Sequence, residues 1–256
     1  MAVIAIIPAR YGSTRFPGKP LALIGGKPMV QHVYESTARA RGLDRVIVAT
    51  EDRRIFDAAR SVGAEVMMTS DKHESGTDRL AEVAKKIRAE LVVNVQGDLP
   101  FIRPETIDRT VKPLRQDRKI PMATAKTAIF DENEWLNPNV VKVVTDKAGF
   151  ALYFSRAPIP HARDGSGGGD APLRYRHVGI YAYRREFLLK FARMRPVELE
   201  RIEKLEQLRA LANGYRIRVA EVDERSVEVD TPADLEKAEA YLQALNINAR
   251  RRTAHG

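Results

Sequence analysis

Short apolar runs alternate with amphipathic segments through the first half of the chain. Runs that lack alternating polar positions are typical of strands buried on both faces, and spacings of three and four residues are typical of helices. The predicted strands are residues 3–8, 45–50, 65–68 and 91–95. The predicted helices are residues 28–42, 53–62, 77–87 and 104–114. Strand–helix alternation of this kind predicts a parallel sheet with helices on both faces.

The second half has a more mixed pattern. The predicted strands are residues 140–145, 151–155, 177–183 and 216–221, and the predicted helices are residues 198–213 and 231–245. A glycine-rich loop lies at 163–170. We therefore predict one α/β domain over 1–245, with a mostly antiparallel insertion at about 137–195 and a basic, flexible tail at 246–256.

Composition narrows the possible functions. The 256 residues include no cysteine, which excludes disulfides, thiolate metal sites and thiol nucleophiles. The net charge is +9, but Arg250, Arg251 and Arg252 supply three of these charges, and aromatic residues are only 7%. Because no RNA-recognition, KH or zinc-finger pattern is present, we expect no nucleic-acid partner.

The sequence also bears on location. No apolar run approaches the roughly 20 residues that span a bilayer, so we expect no membrane insertion. The opening run, residues 1–8, lacks a positive segment before it and leads directly into Ala9 and Arg10. We therefore expect no signal peptide and a cytoplasmic protein.

Ligands of parallel sheets bind beyond the carboxyl ends of the strands, so the segments after Pro8 and Val95 are the places to look. Residues 9–20 hold three cations, Arg10, Arg15 and Lys19, together with glycines that let backbone amides approach an anion. Gly12 and Gly18 are separated by five residues and proline follows the lysine, so this is not a P-loop. By composition alone, an ordinary basic surface loop is the alternative.

The full strings carry more information than their composition. "IIPARYGSTRFPGKPL" (6–21), "HESGTDRLAE" (73–82), "VNVQGD" (93–98) and "NPNVVKVV" (137–144) occur in this order. They are followed by "ALYFSRAPIP" (151–160), "RHVGIYAYR" (176–184), "LEQLR" (205–209) and "VDTPADLE" (229–236). Together they resemble the 3-deoxy-manno-octulosonate (Kdo) cytidylyltransferase family, over roughly residues 3–240. The resemblance implies a Rossmann-like nucleotidyltransferase fold and a homodimer.

The reaction implied by the resemblance joins the anomeric 2-hydroxyl of Kdo to the α-phosphate of CTP and releases pyrophosphate, giving CMP-Kdo for lipopolysaccharide biosynthesis. It needs neutralisation of the triphosphate charge and in-line positioning. The resemblance assigns Arg10, Ser13 and Lys19 to the CTP phosphates, with Arg10 and Lys19 catalytic, and it adds Ala9 to the nucleotide-binding residues. Arg15 belongs to the same string.

A magnesium ion is implied as cofactor, with Asp98 and Asp230 as its ligands and Asp98 also catalytic. Mg²⁺ prefers one or two carboxylates together with substrate phosphate. From the sequence alone, Asp230 has another interpretation, because it precedes Thr231 and Pro232 and could cap a helix.

The resemblance places the cytidine at Ser75, Gly76, Arg79 and Gln96. Gly76 would allow close approach of the backbone, and Arg79 would read the base. The alternative is a turn in which Ser75 or Thr77 only caps the next helix.

The implied sugar contacts share the mixed donors and acceptors that hydroxyl groups require. They are Gln96, Arg156, His177, Tyr181, Glu206 and Gln207. Arg156 would pair with the sugar carboxylate through its planar guanidinium. A lone histidine is more often structural, and Glu206 lies on a segment already rich in charge.

One departure from the family pattern leaves the sugar open. Leu99 stands where the family commonly has glutamate, in Gln-Gly-Asp-Glu-Pro. Synthesis of CMP linked to another acidic sugar, such as 8-amino-Kdo, a sialic acid or pseudaminic acid, is the alternative reaction. A non-catalytic protein that binds CTP is the alternative class.

Overall fold

The computed structural model describes residues 1–12, 15–73, 75–161, 163, 174–225 and 227–253, with side chains up to residue 247. The strands are β1 (Val3–Pro8), β2 (Leu23–Ile24), β3 (Lys27–Pro28), β4 (Arg45–Thr50), β5 (Glu65–Met68), β6 (Leu91–Val95), β7 (Met122–Ala128), β8 (Lys142–Thr145), β9 (Ala151–Ser155), β10 (Tyr175–Arg184) and β11 (Ile217–Glu221). The helices are α1 (Met29–Ala38), α2 (Arg53–Ser61), α3 (Gly76–Lys86), α4 (Pro104–Gln116), α5 (Glu132–Leu136), α6 (Arg185–Phe191), α7 (Glu198–Glu203), α8 (Leu208–Ala212) and α9 (Ala233–Thr253).

The chain divides into two compact units. Unit 1 comprises Met1–Val3, Arg88–Val93 and Glu105–Glu224, and unit 2 comprises Ile4–Ile87, Asn94–Pro104 and Arg225–Gly256. Each is described by itself. The sequence prediction of one domain with an insertion stays a prediction.

Unit 2 contains the parallel strands. β1 pairs with β4 in parallel from Ile4 opposite Arg45, and β4 pairs with β5 in parallel from Ile47 opposite Glu65. The side chains of β1 are almost entirely buried, as its continuous apolar run predicts. Unit 2 also contains an apolar cluster formed by Ile24, Met29, Phe101, Val229 and Ala238, and this cluster fixes the segment before α9 in place.

Unit 1 contains the mostly antiparallel part. β7 pairs in parallel with β11 and antiparallel with β10, and β8 pairs antiparallel with both β9 and β10. The predicted fold class is therefore confirmed: a mostly parallel sheet flanked by helices, with an antiparallel part. Along the ranges that the structure describes, none of the helices is long and apolar enough to cross a membrane.

Among the described residues, five strands and helices are not predicted by the sequence pattern: β2, β3, β7, α5 and α6. β7 lacks an apolar pattern, because most of its residues are small or polar although they are buried. Residues 198–213 form two helices rather than one, since Lys204 has a φ of 54° and interrupts the helical hydrogen bonds. Helix α9 runs past residue 245 to Thr253. The glycine-rich stretch 165–169 lies outside the described residues.

Candidate active site

A cavity of about 220 Å³ opens in unit 2 at the carboxyl end of β1. It lies where the parallel sheet predicts a ligand site. The lining residues are Pro8, Ala9, Arg10, Arg15, Lys19, Pro20, His73, Ser75, Gly76, Arg79, Gln96, Gly97, Asp98 and Asp230. The structure thus brings together every residue predicted for the nucleotide and the metal except Ser13, which is outside the described residues.

Lys19 lies between the two predicted metal ligands. Its Nζ is 3.3 Å from Asp98 Oδ2 and 3.3 Å from Asp230 Oδ1. Arg15 contacts Asp230 through both Nη atoms, each at 3.1 Å. Because Lys19 is mostly buried and Arg15 is exposed, the Lys19 pairs are the less screened by solvent. Two carboxylates therefore share one ammonium group at the edge of the cavity.

Backbone contacts bring these two carboxylates together. The Val229 N–H donates to the carbonyl of Asp98 at 3.0 Å, which ties the turn after β6 to the residue before Asp230. A Cβ at Gly97 would lie 2.8 Å from the Pro8 carbonyl oxygen, so only glycine fits this close approach to β1. Asp98 is thereby held beside the end of β1.

The structure also decides the helix-cap alternative for Asp230. The carboxylate of Asp234 accepts the N–H groups of Asp230 and Thr231 at 3.2 and 3.0 Å. Asp234 therefore ties the residues before α9 to its first turn, and the Asp230 carboxylate faces Lys19 and Arg15. These contacts leave Asp230 oriented as a ligand for a cation.

The loop after β1 is held in shape by backbone hydrogen bonds. The Ala9 N–H donates to Ala49 O at 2.9 Å, and the Gly18 N–H donates to Tyr11 O at 2.9 Å. Gly18 has a φ of 70°, a conformation that favours glycine. Lys19 then begins a 3₁₀ turn with Pro20 near its start. The positions of Arg10 and Lys19 follow from this closed loop.

Arg79 is the most buried cation of the cavity, with 4% of its side chain exposed. Its Nη2 lies 2.8 Å from Glu51 Oε2, and its Nη1 donates to Thr69 Oγ1. Burial lowers the pKa of Arg79, the Glu51 carboxylate opposes that shift, and the charge of Arg10 adds to it. Arg10 and Arg79 are therefore two neighbouring guanidinium groups, and Glu51 neutralises one of them.

Ser75 performs the structural role that the sequence left as an alternative. Its Oγ accepts the Asp78 N–H at 3.1 Å, and the Asp78 carboxylate accepts the Ser75 N–H at 3.2 Å, which is a capping box at the start of α3. Ser75 also lines the cavity. The cap therefore positions Ser75 and Gly76 and does not exclude a contact with a ligand.

The departure at Leu99 does not remove an acid from the cavity. Leu99 is 2% exposed, and it is absent from the residues that line the cavity in the described chain. The cavity keeps Asp98 and Asp230 as its acidic pair.

Two carboxylates with substrate phosphate oxygens suit the coordination that Mg²⁺ prefers. No cluster of three or more His, Asp or Glu side chains suited to a metal occurs in the part of the chain that the structure describes. Asp98 and Asp230 therefore fit a magnesium ion that is held partly by the nucleotide rather than by the protein alone.

Gln96, one of the predicted sugar contacts, lines the cavity of unit 2, and the remaining predicted sugar contacts lie in unit 1. His177 contacts Phe154 and Tyr181 at ring-centroid distances of 5.1 and 5.3 Å, and its Nε2 lies 2.8 Å from Thr124 Oγ1. Desolvation lowers the pKa of His177 to about 3, so the imidazole is neutral at pH 7. His177 can therefore act as a neutral hydrogen-bonding group but not as a cation.

Arg156 is oriented by main-chain oxygens. Its Nε donates to Glu203 O at 2.7 Å and its Nη1 donates to Pro138 O at 3.0 Å. The buried Lys142 holds the same loop by donating to Asn137 O and Val140 O at 2.8 and 2.6 Å. Since main-chain oxygens carry no net charge, the guanidinium keeps its capacity to pair with an anion.

Glu206 and Gln207 lie just before α8. Glu206 is 3.4 Å from Arg209, and Gln207 is 4% exposed. The Nε2 atom of Gln207 is buried without a hydrogen-bond partner. A buried amide donor without an acceptor is unfavourable, so a ligand acceptor at this position would be stabilised.

Sequence reasoning missed Glu51, His73, Lys142 and Glu203. Glu51 follows a predicted strand directly, which is a usable signal in a parallel sheet. His73 lies within a string that was recognised, and its Nε2 is 2.6 Å from Glu82. Lys142 and Glu203 act through backbone oxygens and backbone N–H groups, and composition alone does not reveal such contacts.

The fold and the cavity define an α/β protein with a cavity, lined by cations and carboxylates, at the carboxyl end of a parallel strand. A family model described as cytidylyltransferase matches residues 4–218. The 3-deoxy-manno-octulosonate cytidylyltransferase of Syntrophotalea carbinolica is 57% identical over 96% of this chain and 100% of that protein. The protein of the same name from Geobacter sulfurreducens is 58% identical over 93% of this chain and 98% of its own.

Solved structures agree with these sequence matches. A structure of CMP:2-keto-3-deoxy-manno-octonic acid synthetase complexed with CTP has a TM-score of 0.90 and 44% identity, covering 95% of this chain and 99% of its own. A 4-diphosphocytidyl-2C-methyl-D-erythritol synthase from Anaerococcus prevotii, with a TM-score of 0.62 and 17% identity over 94% of this chain and 96% of its own, shares the fold. The chain belongs to the cytidylyltransferase family, and within it to the 3-deoxy-manno-octulosonate cytidylyltransferases.

Proposed function

We propose that this protein transfers CMP from CTP to the anomeric 2-hydroxyl of Kdo and releases pyrophosphate, giving CMP-Kdo for lipopolysaccharide biosynthesis. The observation that carries the proposal is the cavity of unit 2, in which Arg10, Lys19 and Arg79 meet Asp98 and Asp230. It occurs in a chain that is 57% identical, over nearly its whole length, to a named Kdo cytidylyltransferase.

The cations of the loop after β1 bind the triphosphate in this proposal. The sugar 2-hydroxyl loses its proton to solvent, and its oxygen attacks the α-phosphorus. A new phosphorus–oxygen bond forms while the bond from that phosphorus to the oxygen bridging the α- and β-phosphates breaks, so that this oxygen leaves with pyrophosphate. Negative charge moves onto the leaving pyrophosphate, where Arg10 and Lys19 stabilise it. Ala9 and Ser13 contribute to the same phosphate site. No general base is assigned among the described residues.

Asp98 and Asp230 would hold the magnesium ion, which supplies Lewis-acid stabilisation and lowers the pKa of the sugar hydroxyl. Lys19 contacts both carboxylates, and its flexible ammonium can turn from them to a phosphate oxygen. Metal and triphosphate binding therefore depend on the same three side chains.

The cytidine binds at the start of α3 in this proposal. Ser75 and Gly76 present a hydroxyl and backbone groups that are fixed by the capping box, and the buried guanidinium of Arg79 offers donors in a planar array. Gln96 would contact both the nucleotide and the sugar in this proposal. Hydrogen bonding of this kind discriminates cytosine from other bases by its amino and carbonyl groups.

The sugar binds through Arg156, which pairs with its carboxylate, and through neutral or acidic groups that contact its hydroxyls. These are Gln96, His177, Tyr181, Glu206 and Gln207. The unpartnered Nε2 of Gln207 and the oriented guanidinium of Arg156 support this assignment.

The proposal includes a cytoplasmic homodimer that binds no nucleic acid. Large apolar side chains are exposed in unit 1 at Phe130, Leu136, Leu152, Leu199 and Ile202, and a self-association surface would cover such groups. Sedimentation equilibrium would measure the mass. A monomer at micromolar concentration would contradict the dimer and leave the reaction unaffected.

The reaction is tested by pyrophosphate release from CTP in the presence of Mg²⁺, with Kdo, 8-amino-Kdo, sialic acid and pseudaminic acid each supplied as acceptor. Release that is fastest with Kdo is expected. Faster pyrophosphate release with another acidic sugar would identify that sugar as the acceptor. Binding of CTP without release from any sugar would establish the non-catalytic class instead.

A further inference from the structure

Glu51 contacts two parts of the cavity that are far apart in the sequence. It follows β4 directly, and 17% of its side chain is exposed. Its Oε1 accepts the backbone N–H of Tyr11 at 2.9 Å, and its Oε2 lies 2.8 Å from Arg79 Nη2. One carboxylate therefore joins the loop after β1 to helix α3.

Tyr11 extends this contact through the loop. Its carbonyl accepts the Gly18 N–H, and its ring lies beneath the guanidinium of Arg54 at 3.6 Å from the ring centroid. A Cβ at Gly18 would be 3.0 Å from the same ring, so the ring packs closely on that glycine. Arg10 precedes Tyr11 and Lys19 follows Gly18. Fixing Tyr11 therefore fixes both cations.

Glu51 does not line the cavity, although its two partners are a lining residue and the neighbour of one. Its oxygens are directed to Tyr11 and Arg79. A negative charge beside a cavity for an anion opposes binding through Coulomb repulsion. The position of Glu51 therefore calls for an explanation other than charge complementarity to the ligand.

We propose that Glu51 is a positioning residue that sets the loop of Arg10 and Lys19 at a fixed distance from Arg79, so that the phosphate end and the base end of one nucleotide are bound together. The proposal rests on the nucleotide site of the proposed function and assigns a role to a residue outside it. Glu51 acts through Tyr11 and Arg79 and does not contact the ligand.

Glu51→Gln separates positioning from charge. The hydrogen bond from the Tyr11 N–H to Oε1 can persist with an amide, whereas the ion pair between Oε2 and Arg79 Nη2 is lost. Oε2 accepts no hydrogen bond in the described structure, so its contact with Arg79 is ionic. Positioning predicts CTP binding that is weaker by about tenfold, because the buried Arg79 loses the charge that orients it. A purely electrostatic role predicts tighter CTP binding, because a negative charge leaves the vicinity of the cations.

The measurement is calorimetric titration of the full chain with CTP and, separately, with CMP. Glu65→Gln is the matched control, because Glu65 pairs with Arg45 at the opposite end of β4. Expected results are an unchanged control and weaker binding of CTP to Glu51→Gln. In turnover assays, the KM for CTP should rise while the KM for the sugar stays constant. Unchanged or tighter CTP binding would overturn the proposal.

A double variant covers the case in which Glu51→Gln is unstable. Glu51→Gln with Arg79→Gln leaves no unpaired buried charge, and it is compared with Arg79→Gln alone. If Glu51 acts through Arg79, Glu51→Gln weakens CMP binding less in the Arg79→Gln background than in the wild-type chain. Equal losses of CMP affinity in the two backgrounds would show that Glu51 does not act through Arg79. A wild-type chain that binds no CTP would reject the proposed function itself, a result distinct from either outcome.

Discussion

The candidate nucleotide cavity of unit 2 and the candidate sugar residues of unit 1 have different electrostatics. In unit 2, charged side chains pair with one another: Lys19 with Asp98 and Asp230, and Arg79 with Glu51. In unit 1, His177 is neutral and Arg156 is held by backbone carbonyls. A triphosphate and a metal bring large charges that can replace internal ion pairs. A polyhydroxylated sugar with one carboxylate requires mainly neutral donors and acceptors and one cation.

Asp98→Asn tests the charged side of this comparison and has the largest expected effect. The amide keeps the shape but loses the charge, so metal binding and charge stabilisation are both weakened. We expect kcat to fall on the order of 10²–10³-fold, with the fold intact. Pyrophosphate release and circular dichroism measure these two results. Asp57→Asn, on the exposed face of α2, is the control, and near-normal turnover of Asp98→Asn in Mg²⁺ would refute the role.

Arg156→Met tests whether the two regions serve different substrates. Loss of a bond to a charged group is worth about 1.5–3 kcal/mol, so the KM for Kdo should rise about 10–100-fold. The KM for CTP should not change. Arg216→Met serves as the control, because Arg216 pairs with Asp146 in the same unit. A parallel rise in both KM values would show that the division of substrates is wrong.

Gly97→Ala tests the close approach that holds Asp98 at the cavity. The new Cβ would meet the Pro8 carbonyl at 2.8 Å, and overpacking of this kind costs about 1–3 kcal/mol. The free energy of unfolding measured in urea should fall by this amount, and CTP should bind more weakly. For stability the comparison is Gly12→Ala, where a Cβ meets nothing within 4 Å. Equal stability of the two variants would show that β1 can move away without cost.

The pKa of His177 gives the smallest effect near neutral pH. Its ordinary value is 6.5 and the folded value is about 3, so the unfolded chain binds a proton between these values while the folded chain does not. Stability is therefore lost as the pH falls below 6.5, by up to about 1.4 kcal/mol per unit. Glu82 and Asp234, with pKa values of about 2, add a loss only below their ordinary values near 4.

Urea unfolding between pH 6.5 and pH 5 measures the contribution of His177. The slope of the free energy of unfolding against pH should be smaller in His177→Gln than in the wild-type chain. It should be unchanged in His161→Gln, whose side chain is exposed. High salt should leave the His177 contribution in place, because desolvation rather than a charged neighbour causes it. An unchanged slope in His177→Gln would mean that His177 is protonated in the folded chain.

Much of the fold follows from the apolar pattern. β1, β4, β5, β6 and β9 have the predicted bounds. In β1, β4 and β6 the side chains form continuous or nearly continuous buried runs, whereas the side chains of β5 are partly or fully exposed. β7 escaped prediction because tertiary burial, not side-chain preference, keeps Met122–Ala128 extended. The break at Lys204 depends on one residue with a positive φ, for which lysine gives no signal.

Contiguous strings in the sequence pointed to Arg10, Lys19 and Asp98, and the structure brings these three side chains to one cavity. Sequence reasoning could not supply the contacts that link those strings. Glu51 reaches Tyr11 through a backbone N–H, and Asp98 is tied to Val229 through a backbone pair. Such contacts depend on the paths of separate segments in space. A list of residue types does not contain them.

The ion pairs of Lys19 have a consequence for the order in which the molecule assembles. Lys19 is separated from Asp98 by 79 positions and from Asp230 by 211. The capping box at Ser75 spans only three positions and can form as soon as α3 does. Since distant contacts close late and synthesis proceeds from the N-terminus, the start of α3 can form early. The contact between Lys19 and Asp230 cannot form until Asp230 has left the ribosome and docked, so under the proposed function a nascent chain would lack the metal-binding pair.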